Sequence, residues 1–406
     1  MDDHRLEELE LFKTALEIQY PWYIREYAFS REEGRLDIWI GLMDTPPMTC
    51  SYCQTDNQPY YDIDRQDQVW RHLDFFEFKT YLHAPHPRVQ CAHCQKVKYA
   101  KIPWTRYTSR FTLAFEHWVM QLVKEMPVLP AARLIREHDT RIWRIVHHYV
   151  DAALQQQDLS SVRRIAVDET SATRGHHYVT VIMNSETRQV IFATEGKDHT
   201  TIERFADHLS SHHGSSEQIE EYSSDMSAPF QQGMKNAFPD AHQTIDKFHI
   251  MKLIGEAVDE TRRKEQPTAP ELKKSRYLWL KNERNLTKKQ QEQLAALSKS
   301  HLKTAKAYQL RMAFQDFWTC SQRVASVYLK IWCNWAVRSQ LPDMIRTAQT
   351  IRQHTAGILR WFESKMTNGM IEAMNGLIQA AKRKARGYRT TKNLIAIIYL
   401  IGGKLA

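Results

Sequence analysis

Two sets of residues in this chain are of the types and spacings that do chemistry. The first is four cysteines in two pairs, Cys50-x2-Cys53 and Cys91-x2-Cys94, separated by 37 residues. A CxxC turn points two thiolates at one ion, and two such turns complete the tetrahedral shell that Zn2+ prefers. With only 6 cysteines in 406 residues, two CxxC pairs are a strong signal. His83, His86 and His93 are nearby alternative ligands, and buried or redox-active thiols are the competing reading. A shell filled entirely by protein is a structural site, holding a fold and doing no chemistry. Cys320 and Cys333 lie on an apolar helical stretch and read as core residues.

The second set is acidic. Asp168 follows an apolar run in IAVDET, Asp225 ends EEYSSD, and Glu372 lies in TNGMIEAMNGL. A carboxylate at the end of a buried strand costs desolvation unless it meets a cation. Three such groups brought together repel one another, and divalent metal relieves the repulsion. Asn368 and Asn375 stand four before and three after Glu372 and share its face on a helix. Taken singly, the three acids read as an N-cap, a turn residue and a surface glutamate. Glu169 follows Asp168, so on a strand it points to the opposite face and is not expected to be a ligand. Asp246 and His249, in DKFH, resemble the DxxH element of transposases, which would line such a site or contact DNA, with helix capping by Asp246 an equal alternative.

The elements that must position these residues are read from periodicity. A helix is predicted from Leu6 to Tyr20, then a strand in which Leu36, Ile38 and Ile40 alternate with Asp37 and Trp39. From Phe115 to Val150 the pattern is helix, break, helix, short turn, helix. The apolar faces are Phe115, Val119, Leu122 and Val123, then Ala131, Leu134 and Ile135, then Ile142, Ile145 and Val146. Asp139-Thr140 is predicted to cap the third helix, whose Arg141 and Arg144 suit a helix-turn-helix entering the major groove, though many small helical bundles share the pattern. Strands follow at 165–169, 178–183 and 190–194, then a helix at 201–209, a strand at 219–225, a helix at 229–238 and a strand at 243–248. The span 250–362 reads as helical, as does Gly369 to Lys384. Three strands and then helix, strand, helix, strand is a mixed α/β order, and it sets the three acids on two strands and a late helix.

Hydrophobic residues make up 42% of the chain and charged residues 25%, near the average for globular protein. Those figures exclude wholesale disorder and a collagen-like rod. The apolar stretch Leu394 to Ile401 is far short of the roughly 20 residues of a membrane span, and the acidic start MDDHRLEELE is no secretory signal. Free CxxC pairs point to a reducing compartment, so a cytoplasmic protein is expected. The net charge of +9 is uneven: residues 1–50 carry −6, and after Glu372 come seven basic residues and no acidic one. The segment 95–149 holds ten basic against four acidic residues. Such blocks either face solvent or attract polyanions, of which nucleic acid is the commonest in a cytosol.

Strand-Asp, strand-Asp, helix-Glu on this frame is the layout of the RNase H-like nucleotidyl-transferase core. The chain resembles transposases of the ISL-three insertion-sequence family, of the DDE type. The matches are the double CxxC, the helix-turn-helix, VDETS with RGHHYVTVIMN, SSDMSAPF, IDKFHIMKLI and NGMIEAMNGLIQAAKRKARGYRTTKN. They cover nearly the whole chain, and the last is the most specific. Ala373 stands where relatives often have Gly, and the gap between the CxxC pairs is longer than usual.

The resemblance implies a multidomain chain. Its expected parts are an N-terminal region with the zinc module (1–107), a helix-turn-helix domain (108–158), the first part of an α/β RNase H-like core (159–250), an all-α insertion (251–362), and the acidic helix with a basic tail (363–406). It implies a catalytic triad of Asp168, Asp225 and Glu372 holding Mg2+ (or Mn2+), and structural Zn2+ on Cys50, Cys53, Cys91 and Cys94. Arg141 and Arg144, with Lys382, Arg383, Lys384, Arg386 and Arg389, would contact double-stranded DNA at terminal inverted repeats and target. Pairing two ends implies at least a homodimer on DNA, in the bacterial cytoplasm and associated with the nucleoid when bound. The rival readings are a structure-selective nuclease on the same fold, and a transposase-derived DNA-binding regulator without catalysis.

Overall fold

The computed structural model describes residues 3–173, 175–281 and 285–404. The chain forms two compact units, Met1–Val146 and His147–Ala406.

The first unit opens with α1 (Asp3–Ala15) and continues through seven short strands: β1 (Trp22–Ser30), β2 (Arg35–Leu42), β3 (Tyr60–Ile63), β4 (Gln68–Arg71), β5 (Lys79–Ala84), β6 (Pro87–Cys91) and β7 (Lys96–Tyr99). They make two sheets, ordered β1-β2-β5-β4 and β3-β6-β7. The alternation in β2 holds: Leu36, Ile38 and Ile40 are buried beside Trp22, Ile24, Trp70 and Leu82. The predicted helix to Tyr20 does not. It stops at Ala15, Glu17 takes a left-handed φ of 53°, and Leu16 and Ile18 pack into the sheet's core instead of extending the helical stripe.

Three helices follow: α2 (Leu113–Glu125), α3 (Val128–Leu134) and α4 (Asp139–Gln155). The buried faces are as predicted at Phe115, Val119, Leu122, Val123, Ala131, Ile135, Ile142, Ile145 and Val146, but Leu134 is exposed. The cap also differs. Asp139 is already helical, and the ring of His138 accepts the amide of Thr140 at 3.3 Å.

The second unit is built on a five-stranded sheet of β8 (Arg164–Thr173), β9 (His177–Asn184), β10 (Gln189–Glu195), β11 (Glu221–Ser224) and β12 (His242–Ile245), in the order β10-β9-β8-β11-β12. β8, β9 and β10 are antiparallel, while β11 and β12 run parallel to β8. This is the α/β RNase H-like order anticipated from the sequence. α5 (His199–Ser211) and α6 (Ala228–Ala237) cover one face, where Ile165, Val167 and Ile182 meet Phe205 and Phe230.

Among the described residues, seven α-helices form the all-α part: α7 (Lys247–Glu265), α8 (Arg276–Leu280), α9 (Lys288–Ser298), α10 (Lys303–Phe317), α11 (Gln322–Arg338), α12 (Pro342–Gln353) and α13 (Thr355–Ser364). Their core holds Trp279 and Trp332, whose indole N–H groups reach Ser275 Oγ at 3.0 Å and the Leu310 carbonyl at 2.8 Å, and it buries Cys333. α13 returns to the sheet against β12. The approach is close: a Cβ at Gly357 would stand 3.0 Å from the Ile245 side chain. α14 (Gly369–Lys384) then lies against β8 and α15 (Thr391–Gly402) against β10. Among the described residues, no helix is long and apolar enough to cross a membrane.

Candidate active site and metal centre

Asp168 was expected at a strand end, but β8 runs on to Thr173. What ends there is the partner strand. β11 pairs with β8 only at Arg164, Ile165 and Ala166, and Asp225 is the first residue beyond β11. The charge of Asp225 is therefore felt at Asp168 where the parallel ladder gives out, beyond the carboxyl end of β11. Asp225 Oδ1 accepts the Ser227 amide at 2.9 Å, which turns the chain into α6.

The third acid arrives on α14. Asn375 Nδ2 donates to Asp168 Oδ2 at 2.8 Å, Gln379 Nε2 donates to Thr170 Oγ1 at 2.8 Å, and Lys382 Nζ donates to the Ser171 carbonyl at 2.7 Å. These side chains stand four and three residues apart on one helix face, so they lay α14 along β8. Glu372, three residues before Asn375, is half-buried on the adjoining turn. Gln379 was not anticipated, although its i+4 spacing from Asn375 is the signal that would have found it.

Burial lifts the Asp168 carboxyl above its ordinary value, and the charge of Asp225 adds to the rise. Burial likewise lifts Glu372, reinforced by Asp246 and Asp168 and opposed by His249 and Lys252. Glu169, the residue expected on the opposite face, is raised by burial and then by Asp225. Carboxyls that resist ionisation in the absence of a cation are what a cation site presents.

Unpartnered polar atoms make the same point. Glu372 Oε1, His249 Nε2, Asn375 Oδ1 and both side-chain polar atoms of Asn368 are buried without a hydrogen-bond partner. His249 Nε2 lies 3.8 Å from Glu372 Oε1, too far for a hydrogen bond. Buried polar groups are seldom left unpaired, so this cluster fits a site that takes an ion and its water. Asp246 is placed as a cap, with Oδ1 accepting the Phe248 amide at 3.3 Å at the start of α7.

The four cysteines form a separate centre in the first unit. Cys50 precedes the β3-β6-β7 sheet, Cys91 ends β6, and all four sulfurs lie within 4.8 Å of one another. Among the described residues no other group of three or more ligand atoms is drawn so close. The Thr55 hydroxyl holds the Cys53 thiol down to about 5, while burial among its neighbours pushes Cys94 up to about 12. Four sulfurs at this separation do not all ionise without a cation between them, so the cluster fits tetrahedral Zn2+. His83 is bonded to Asp37, and His86 Nε2 lies 3.2 Å from the Ala100 carbonyl, so both have other partners.

The basic residues divide. Arg144 is exposed, whereas Arg141 bonds Glu137 at 2.5 Å and lies over the Phe111 ring. Arg383, Lys384, Arg386 and Arg389 are exposed beyond the middle of α14, and Lys382 is half-buried on its bond to Ser171. Trp335 is partly exposed and Trp318 packs among Phe314, Phe317, Trp361 and Phe362.

Comparison with known proteins agrees with this layout. The family model described as "Transposase" matches residues 165–398, more than half the chain. The helix-turn-helix domain of transposase family ISL3 matches 100–150, and the zinc-finger of transposase IS204/IS1001/IS1096/IS1165 matches 46–94. The chain is 27% identical, over 97% of its length and 95% of the relative's, to the transposase for insertion sequence element IS1557 of Mycobacterium tuberculosis. It is 26% identical, over 79% of its length and 80% of the relative's, to the transposase for insertion sequence element IS1001 of Bordetella parapertussis.

Proposed function

The chain belongs to the ISL3 family of transposases, and on that footing we propose that it binds the terminal inverted repeats of its own element and cuts and rejoins DNA there. Asp168, Asp225 and Glu372 would act as the catalytic carboxylates, holding Mg2+ (or Mn2+). The observation that carries the reading is that Asn375 on α14 donates to Asp168, with the charge of Asp225 felt at Asp168 and that of Asp168 at Glu372. Rises in two of these carboxyls and unpartnered atoms around them support it.

A divalent metal bound here supplies charge stabilisation at phosphorus and a nucleophilic oxygen at neutral pH. The chain's own groups set the geometry. Asn375 and the Glu169 amide hold one oxygen each of Asp168, at 2.8 Å, and so fix the plane of that carboxylate. His249, 3.8 Å from Glu372, would line the site. Arg383, Lys384, Arg386 and Arg389 would grip phosphates without reading sequence. Cys50, Cys53, Cys91 and Cys94 would hold Zn2+ and, with the helix-turn-helix, present Arg144 to the repeats. Joining two ends calls for two copies on DNA, in the cytoplasm.

The test is cleavage of duplex carrying the element's end. Asp225→Asn is expected to abolish cleavage and leave end binding within a few-fold; full cleavage by that variant overturns the triad. Joining of a 3′-hydroxyl end to target separates a transposase from a nuclease, which cuts but does not join.

A further inference from the structure

Between α7, α8 and α10 lies a recess of about 750 Å3, within the range of small-molecule clefts. Its wall includes Lys247, Phe248, Lys252, Arg276, Arg311 and Trp318. We propose that this recess is a subsite for one unstacked nucleotide of the DNA strand that runs past the acidic site. The proposal rests on the function argued above and adds the place where a base is held.

The charge of the wall selects an anion. Two carboxylates also line it, Glu256 and Asp259, but Asp259 is spent on Arg262, Arg263 and Arg276 at 2.8–3.2 Å. Arg311 is different. It is 6% exposed, and its bonds run to neutral atoms, the Leu280 carbonyl at 3.0 Å and the Met312 sulfur at 3.9 Å. No carboxylate among the described residues pairs with it. A buried guanidinium without a counter-charge is costly, and a phosphate entering the recess removes that cost.

The aromatic groups select a base. Phe248 is 54% exposed at the rim, where an apolar ring gains by being covered. Trp318 Nε1 is buried in the wall without an acceptor. A ring for stacking, cations for the backbone and a free N–H for a base edge are together what a single-stranded nucleotide needs. The recess also borders the acidic site. Phe248 is followed by His249, which stands 3.8 Å from Glu372, and the charge of Lys252 is felt by Glu372. A strand whose phosphate sits at the acids would run along α7 toward the recess.

The experiment measures binding of a short fluorescein-labelled single-stranded oligonucleotide to the full chain by anisotropy, without divalent metal. Phe248→Ala and Arg311→Met are each expected to weaken it between about fivefold and a hundredfold, the cost of about 1–3 kcal/mol for one stacked base. Phe248 is exposed, so its variant keeps the test alive where Arg311→Met fails to fold. Unchanged affinity in Phe248→Ala overturns the subsite, as does displacement of the oligonucleotide by inorganic phosphate with equal effect in wild type and Phe248→Ala. End cleavage by the wild type is read separately. A chain that binds the strand through Phe248 and cuts no end supports the subsite and defeats the transposase mechanism. A chain that cuts ends while Phe248→Ala leaves strand affinity unmoved does the reverse.

Discussion

The carboxylate of Asp246 ties together two helices that begin 122 residues apart: Oδ2 accepts the backbone amide of Asn368 at 3.1 Å while Oδ1 caps α7 through Phe248. Asp246 is 1% exposed. One buried side chain thus sets the start of α7, which carries His249 and Lys252, against the start of α14, which carries Glu372. In the sequence Asp246 reads equally as a cap or a site residue; in the fold, capping is how it serves the site.

Asp246→Ala is expected to cost about 1–3 kcal/mol of stability, because the buried Asn368 amide and the capped Phe248 amide lose their acceptor. It should also slow end cleavage beyond what the folded fraction explains, with end binding little changed. Urea unfolding and single-turnover cleavage on the same preparation check this. A cleavage loss that simply tracks the unfolded fraction would remove the positioning role.

Metal should stabilise the acid site. Raising Mg2+ or Mn2+ is expected to raise the melting midpoint of the wild type, since a ligand bound only by the folded state stabilises it by mass action. Asp168→Asn should lose most of that rise and, without metal, melt no lower than wild type, because a buried carboxyl beside Asp225 is gone. Thermal melts across a metal titration decide it; an equal rise in both proteins counts against Asp168 as a ligand.

Cys91→Ser is expected to lower zinc content and weaken end binding by tenfold or more, since metal binding to such a module is folding free energy. Cys91 is fully buried and its sulfur accepts the Cys94 amide at 3.3 Å. Elemental analysis together with gel-shift titration reads both effects. Unchanged zinc stoichiometry would exclude this ligand set.

Acid should loosen the first unit through His72. Burial, with help from Arg71, lowers its pKa to about 4, and its Nδ1 lies 2.9 Å from the Thr112 hydroxyl that caps α2. A histidine whose folded value is depressed favours the neutral form. The stability it contributes is present above the unfolded value near 6.5 and drains as pH falls toward 4. From pH 7 to pH 5 the loss is about 2 kcal/mol. Urea midpoints at the two pH values for wild type and His72→Gln measure it, and the variant should show the smaller drop.

The second unit was far more legible in the sequence than the first. β8, β9 and β10 are apolar runs long enough to show as strands, and α14 begins and ends where its periodicity places it. In the first unit β3, β4 and β7 span four residues each, and no motif marks them as SSD and IDKF mark the equally short β11 and β12. α15 escaped for another reason. Its face toward β10 is apolar nearly all round, so it carries little helical stripe. The elements that carry Asp168, Asp225 and Glu372 were readable because motif and strand order coincide. That Asp168 sits mid-strand was not, because the end of a ladder depends on the partner, here β11. Nor was the engagement of Arg141 or Lys382, since each depends on a residue brought in by tertiary folding.

Because Asp246 meets Asn368 and α13 lies on β12, the polypeptide between them leaves the sheet and comes back to nearly the same place. The entropy of closing such an excursion grows only with the logarithm of its length. Helices added or removed at its far end would shift that cost by tenths of a kcal/mol to about 1 kcal/mol, leaving Glu372 where it stands. The segment between the pinned points is thus a module whose size the placement of Glu372 beside the sheet does not constrain.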